Sequence, residues 1–190
     1  MTTTQHPQDV VIVGAARTPQ GRLLGALSRK TAVDLGTATI SAVLERSGVG
    51  TEPVDYVLMG QVVQAAAGQN PAKQTAVAAG LGMHVPAMTV NKVCLSGLDA
   101  VISAARMIKA GDATVVVAGG QESMSNAPHL AAGVRAGKGF GELRLDDALE
   151  RDGLTDPVQG TAMGVETDAN AEAAGLNREE QDHIAALSHQ

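Results

Sequence analysis

Aromatic side chains are almost absent, with one Phe, one Tyr and no Trp in 190 residues. A core without them must be assembled from Ala, Val, Leu, Ile and Met, with 22 glycines interspersed. Small residues let backbones approach closely, which suits tightly layered helices and strands. The same shortage, a formal net charge of −6 and the lack of a basic stripe argue against a nucleic-acid surface. An anionic ligand is not excluded, because local basic residues and helix N-termini bind one on an acidic protein. Cysteine is nearly missing too. A single Cys rules out a disulfide framework within the chain and a Cys-based zinc site. The histidines at 6, 84, 129, 183 and 189 show no metal-ligand spacing, so no metal is expected. No apolar run approaches the roughly 20 residues that span a bilayer. Residues 1–8 are polar and lack the basic start and apolar run of a secretory signal. These absences predict a soluble cytoplasmic protein with neither membrane nor nucleic acid as partner.

What is present reads as an alternation of strands and helices. Apolar residues make up 44% of the chain, enough for a core, and the length suits one domain plus part of a second. Residues 10–15 (VVIVGA) form a continuous apolar, β-branched run, the pattern of a buried central strand. Residues 31–47 carry a helical pattern stopped by Gly48 and Gly50. Residues 54–63 read as a strand, and Asn70 with Pro71 as a helix start, running through Ala79 to Gly80. Residues 87–91 read as a short strand. Leu95, Leu98, Val101, Ile102, Ala105 and Ile108 then mark a helical stripe ending at Gly111, and residues 114–118 (TVVVA) a further buried strand. This alternation predicts an α/β layered sheet. After Gly120 the chain changes character: residues 121–141 are rich in Gly, Ser, Asn, Pro and Ala without a period, and so long a loop is usually functional. Weaker helical stretches follow at 146–151 and 163–174, and a last one from Asn177, with Glu179 and Glu180 in its first turn. The sequence ends inside this helix at Gln190 without a capping Gly, which reads as a chain cut short.

The chemistry-bearing residue is Cys94, in the stretch VNKVCLSGL at residues 90–98. A strand ends, a few residues turn, and a helix begins at the cysteine. A thiol at a helix N-terminus faces the positive end of the helix dipole, which favours the nucleophilic thiolate. Backbone N–H groups in such a turn are free to receive an oxyanion, the logic of a nucleophile elbow with sulfur in place of oxygen. The competing reading is a space-filling core residue, since free Cys is among the most buried residue types. Local sequence leaves both readings open. Other motifs fail. Residues 133–141 (GVRAGKGFG) resemble a phosphate loop, but the spacing is wrong and no Ser or Thr follows Lys138. No GxGxxG follows the first strand, so a nicotinamide dinucleotide is not expected. His129, in the long loop, reads as a surface or interface residue rather than a base. The methionines at 83, 88, 107, 124 and 163 read mostly as core, with Met163, beside Gly164, as a further option for lining an apolar pocket.

The strings VIVGAARTPQGRLLGAL, MGQVVQAAAGQNPAKQTA, VPAMTVNKVCLSGLDAV and AGDATVVVAGGQESMSNAPHL, then DGLTD and Met163-Gly164, resemble the N-terminal half of the thiolase family, acetyl-CoA acetyltransferases and 3-ketoacyl-CoA thiolases. The resemblance runs from Val10 almost to the end of the chain. It implies a thiolase-like layered α/β/α fold: an N-terminal half with a mixed central sheet at 1–121, and the start of a loop domain at 122–190. In the family a second, similar α/β half packs against the first. The resemblance implies that Cys94 takes the acyl group from a CoA thioester and that its backbone N–H contributes to an oxyanion hole. It implies that Leu154 and Met163 touch the CoA pantetheine and the acyl pocket. It implies acyl-CoA and CoA as substrates, no other cofactor, and a homodimer or homotetramer.

Two departures qualify the resemblance. Biosynthetic members commonly carry a His before the Met of the MG pair, and here Ala162 stands there, leaving acyl chain length open. The family's second half carries an Asn, a His in a GHP motif and a second Cys in a CxG motif; this sequence has no GHP and no second Cys. A truncated or split subunit that needs a partner for the missing half is therefore an alternative to a thiolase. A decarboxylating condensing enzyme is another, against which the NKVCLSG and GGQESMS strings argue.

Overall fold

The computed structural model describes residues 9–190; the polar N-terminal stretch, with His6, lies outside the described residues. Helix α1 (Ala32–Ser47) begins where Thr31 and Asp34 close a capping box, Thr31 Oγ1 accepting the Asp34 N–H at 3.1 Å and Asp34 Oδ2 accepting the Thr31 N–H at 2.9 Å. It ends at Gly48 in the left-handed region. Helix α2 (Pro71–Ala78) starts at Asn70, whose side chain accepts the Lys73 N–H and whose amide also donates to the Ala87 carbonyl at 2.8 Å. The cap thereby ties α2 to the strand that follows it.

Three strands, β1 (Tyr56–Gly60), β2 (Ala87–Val90) and β3 (Val116–Gly120), form a parallel sheet in the order β2-β1-β3. Strand β1 is central. Its Val57 and Met59 join Ile40 and Leu44 of α1 and Ala72 and Ala76 of α2 in one core, while Leu58 faces Ala100 and Ala104 of helix α3 (Ser96–Ala110) in another. The period-2 alternation of a strand thus divides the apolar residues between two helical layers, giving the layered α/β/α arrangement. The antiparallel pairing implied by a mixed sheet occurs, among the described residues, only outside this sheet. There β4 (His129–Leu130) pairs with β5 (Asp146–Asp147), and Thr155 bridges Ala162.

Several expectations are corrected. Residues 10–15 form no strand; Ile12 is 81% exposed, and the segment lies along an open groove of about 610 Å³ also lined by Val43, Val101, Ile108 and Val116. A β-branched run becomes a central strand only when hydrogen-bonded neighbours flank its edges, and this segment belongs to neither sheet among the described residues. On α3 the expected stripe is the uncovered face: Leu98 is 57% exposed, and the buried residues are Ser96, Ala100 and Ala104. Residues 146–147 form the short β5, and the helical stretch expected around 146–151 begins after it, running into a π-helix at Glu150–Leu154. Met83, Met88, Met124 and Met163 are exposed, whereas Met107 packs against the Leu58 core. Helices α4 (Met163–Ala173) and α5 (Arg178–Ser188) bury no residue, and α5 is capped by Asn177 and Glu180 as the pattern predicts.

The small face of α3 permits a close approach. A Cβ placed on Gly60 would stand 2.7 Å from the Gly97 nitrogen and 2.7 Å from the Ser96 carbonyl carbon. Gly120 lies beside it, where an added Cβ would meet the Gly97 Cα at 3.5 Å. The first turn of α3 therefore rests on bare backbone at the ends of β1 and β3. Gly60→Ala should cost about 1–3 kcal/mol or more of unfolding free energy, because backbone rather than a flexible side chain must move. Gly139→Ala, at a site with nothing within 4 Å, should change stability by less than about 0.5 kcal/mol. Chemical denaturation of both variants checks this, and equal effects would contradict the close-approach argument.

Candidate active site

Strand β2 ends at Val90, whose carbonyl accepts the Gln61 N–H at 3.0 Å. Residues 91–95 then turn the chain into α3. Asn91 Oδ1 accepts the Val93 N–H at 3.0 Å, and Val93 sits at φ 49°, a left-handed conformation rare for a β-branched residue. Ser96, only 4% exposed, closes the turn: its Oγ accepts the Lys92 N–H at 2.8 Å and donates to the Val93 carbonyl at 2.6 Å. Cys94 follows Val93 on this turn and is exposed. Its N–H has no hydrogen-bond partner among the described residues. The helix begins at Ser96 rather than at the cysteine, so Cys94 precedes the first turn of α3. Lys92 Nζ pairs with Asp99 in that first turn at 2.8 Å, an exposed contact of little energetic weight. A space-filling role for Cys94 does not fit its exposure.

The strand ends beneath the turn carry a polar network. Thr75 Oγ1 donates to Gln121 Oε1 at 2.7 Å, Gln121 Nε2 to Gln61 Oε1 at 3.0 Å, and Gln61 Nε2 to the Val63 carbonyl at 3.0 Å. Thr75, Gln121 and Gln61 are buried, and the network links α2 to the ends of β3 and β1. Beside it, Glu122 Oε2 accepts the N–H groups of Val62 at 2.7 Å and Val63 at 3.3 Å, while Oε1 is buried with no hydrogen bond. Burial pushes the Glu122 carboxyl above its ordinary value, against the lowering pull of the N–H groups of Val62, Val63 and Ser123. Asp55, at the opposite end of β1, makes the same kind of clip, accepting Thr114 N–H at 2.7 Å and Val115 N–H at 3.0 Å. It is exposed, and those two bonds hold its carboxyl below the ordinary value.

Leu154 and Met163 flank one tight loop. Leu154 ends the π-type turn, Met163 begins α4, and the Thr155–Ala162 bridge between them draws the two ends together. Both are partly open, at 43% and 42% exposure. Neither shares a hydrogen bond, a buried cluster or a described cavity with Cys94 among the described residues. The loop is fastened to the core by a cluster of Val63, Ala148 and Leu149. Sequence reasoning assigned no role to Asn91, Ser96, Gln61, Gln121 or Glu122. The one available signal was the abrupt change to polar residues after the apolar run ending at Gly120.

An exposed thiol at a strand-to-helix turn, with an open backbone N–H on the same residue, is an arrangement for nucleophilic attack on a carbonyl. Among the described residues, no group of His, Cys, Asp and Glu is disposed to hold a metal ion, and no helix is long and apolar enough to cross a membrane. The chain matches the family described as thiolase, N-terminal domain, over residues 10–190. It is 51% identical over 180 residues to a probable acetyl-CoA acetyltransferase of Mycobacterium leprae, covering 95% of this chain and 46% of the relative. It is 52% identical over 180 residues to an acetyl-CoA acetyltransferase of Cupriavidus necator, with the same shares. An acetyl-CoA acetyltransferase of Pseudomonas aeruginosa is 50% identical over 183 residues, or 96% of this chain and 47% of the relative. The chain spans about half the length of the curated relatives it matches.

The two carboxylate clips should give pH dependences of opposite sign. Glu122 has a raised folded value, so its charged form is penalised in the folded state at neutral pH, and the penalty fades as pH falls through that value. Glu122→Gln should therefore be at least as stable as the wild type at neutral pH, with the difference closing on acidification. Asp55 has a lowered folded value, so its contribution is present above the unfolded value and lost as pH falls through the folded one. Asp55→Asn should be less stable at neutral pH, with the deficit fading in acid. Melting temperatures of both variants across this range test the signs; a Glu122→Gln deficit at neutral pH would refute the assignment of a net burial penalty.

Proposed function

Because this chain belongs to the thiolase family through its N-terminal domain, we propose that it supplies the acyl-accepting nucleophile, Cys94, of a coenzyme A acyltransferase. The observation that carries this reading is an exposed cysteine with an unpartnered N–H, on the turn entering α3, within the segment matched to the family. The reaction is R-CO-CH2-CO-SCoA plus CoA giving R-CO-SCoA plus acetyl-CoA, or its reverse. In acyl transfer the Cys94 thiolate attacks the thioester carbonyl carbon and the π pair moves to oxygen. That pair returns as the bond to the CoA sulfur breaks, leaving the acyl group on Sγ and CoA as a thiolate that takes up a proton. The covalent intermediate divides one hard Claisen step into two. The open N–H of Cys94 is suited to receive the oxyanion. Leu154 and Met163 are the apolar side chains proposed to meet the pantetheine and the acyl group.

Proton transfer at the α-carbon needs groups that these 190 residues do not include. The resemblance implies a His in a GHP motif and a second Cys in a CxG motif. The uncovered apolar face of α3 supports the two-half arrangement that the resemblance implies. The reading divides the chain into a core half at 1–121 and a loop domain at 122–190. It further includes a homodimer or homotetramer, a cytoplasmic place in fatty acid metabolism, and no cofactor besides CoA as substrate, since Claisen chemistry on a thioester needs no electron carrier.

In the full-length protein, exposure to acetyl-CoA should add one acetyl group to Cys94, seen by intact mass and peptide mapping, and Cys94→Ser should lose this while keeping CoA affinity within a few-fold. Iodoacetamide should label Cys94 in the native protein several-fold faster than a free thiol, as expected of an exposed thiol on the turn just ahead of α3. Acyl-enzyme formation by Cys94→Ser at the wild-type rate, or labelling that requires denaturant, would overturn the nucleophile assignment.

A further inference from the structure

We propose that Glu122 is a positioning residue: by accepting the N–H groups of Val62 and Val63 it holds the short segment to which both the Cys94 turn and the loop carrying Leu154 are fastened. The proposal rests on Cys94 being the nucleophile. The segment after β1 has three attachments. Its Val62 N–H, at 2.7 Å, and Val63 N–H, at 3.3 Å, both go to Glu122 Oε2. Its Val62 carbonyl accepts the Asn91 side-chain amide at 3.4 Å. Its Val63 side chain lies in the buried cluster with Ala148 and Leu149, and a Cβ on Gly153 would touch Val63 Cγ2 at 3.5 Å.

Asn91 is the link to the nucleophile. Its amide end is held by Val62, and its oxygen accepts the Val93 N–H at 3.0 Å. Val93 occupies a left-handed conformation that a β-branched residue keeps only when its surroundings impose it. A displacement of Val62 therefore passes through one side chain to the residue before Cys94. Val63 is the link to the substrate side, because Gly153, against its side chain, is the neighbour of Leu154. One carboxylate thus sets the relation between two parts that share no direct contact. Asp55 supplies the internal comparison. It clips two consecutive N–H groups in the same way at the far end of the sheet, where neither Cys94 nor Leu154 is attached.

The experiment measures acylation of the full-length protein by acetyl-CoA, as a maximal rate and a half-saturating concentration. Glu122→Ala should lower the rate roughly ten- to a hundred-fold, the scale of a misplaced reacting group, and raise the half-saturating concentration. Asn91→Ala, which cuts only the Cys94 branch, should lower the rate and leave half-saturation within about threefold. Glu122→Gln keeps an acceptor oxygen and should stay within about threefold of wild type in both. Asp55→Ala should lose stability and keep the acylation rate. In the double variant Glu122→Ala/Asn91→Ala the rate should fall no further than in Glu122→Ala alone, because Glu122 and Asn91 act in series. Should Glu122→Ala not fold, Glu122→Asp, which withdraws the acceptor oxygen, takes its place with the same expectation. The proposal is overturned if the folded Glu122 variant acylates normally, if Glu122→Gln is as slow as Glu122→Ala, or if the two rate effects multiply. Cys94→Ser separates the premise from the proposal: acylation that persists in it removes the nucleophile assignment, whereas loss of acylation there beside a normal rate in Glu122→Ala removes only the role of Glu122.

Discussion

The first turn of α3 lies on the backbone of the two strands beneath it, with no side chain between them at Gly60 and only Cα atoms at Gly97 and Gly120. Most helices ride on a sheet at the distance their side chains impose. Here the spacer has been removed at the one point where the chain turns from β2 into α3. The buried face of α3 continues the pattern with Ser96, Ala100 and Ala104. Ser96 can then do two things at once: pack against Gly60, and fold its hydroxyl back onto Lys92 and Val93. The turn bearing Cys94 is held down on the sheet from below and closed by its own hydrogen bonds. The scarcity of aromatic residues and the abundance of glycine have their structural meaning here, since a large side chain at any of these positions would lift the helix.

Around that contact, the sheet is fastened at both ends by carboxylates doing the same work in different surroundings. Asp55 and Glu122 each accept two consecutive backbone N–H groups across the ends of β1 and β3. In water the charged form is stabilised by those bonds, and Asp55 becomes a stronger acid. Under cover the loss of hydration outweighs them, and Glu122 becomes a weaker one. A half-buried carboxylate with one oxygen enclosed and unpartnered is a costly way to hold two N–H groups. Val62 and Val63, whose N–H groups it holds, are the residues from which the Cys94 turn and the Leu154 loop are hung.

Much of this architecture is legible in the sequence because it is set locally. The Gly48 stop of α1, the Asn-Pro start of α2 and the Asn177 cap of α5 are decided by residues within one turn, and all three stand where the pattern puts them. Features set by distant neighbours are not legible. Residues 10–15 have every local mark of a central strand and are not one, because a strand is defined by the partners at its edges. The apolar stripe of α3 is real, yet the sheet takes the opposite, small-residue face, because Gly60 and Gly120 ask for closeness rather than bulk. Cys94 could be located from its setting between strand and helix. Glu122 could not be given a role, since its partners lie about 60 residues away along the chain.

The position of Cys94 is inherited. Its backbone N–H and its exposed thiol have no protein group to hold them among the described residues, and its neighbours Val93 and Ser96 carry all the restraint. A nucleophile restrained through its own side chain must break that contact to react. One restrained through the backbone on either side keeps its reactive atoms free and still pays no ordering entropy at the moment of attack. The strain at Val93 belongs to the same arrangement: with the residue before the cysteine held at φ 49° by Asn91 and Ser96, the chain enters Cys94 in a direction that a relaxed valine would not give. The hydrogen bonds that impose this direction lie within the turn, and Ser96, buried against Gly60, holds that turn on the sheet, so the orientation of one exposed sulfur is decided by the residues on either side of it.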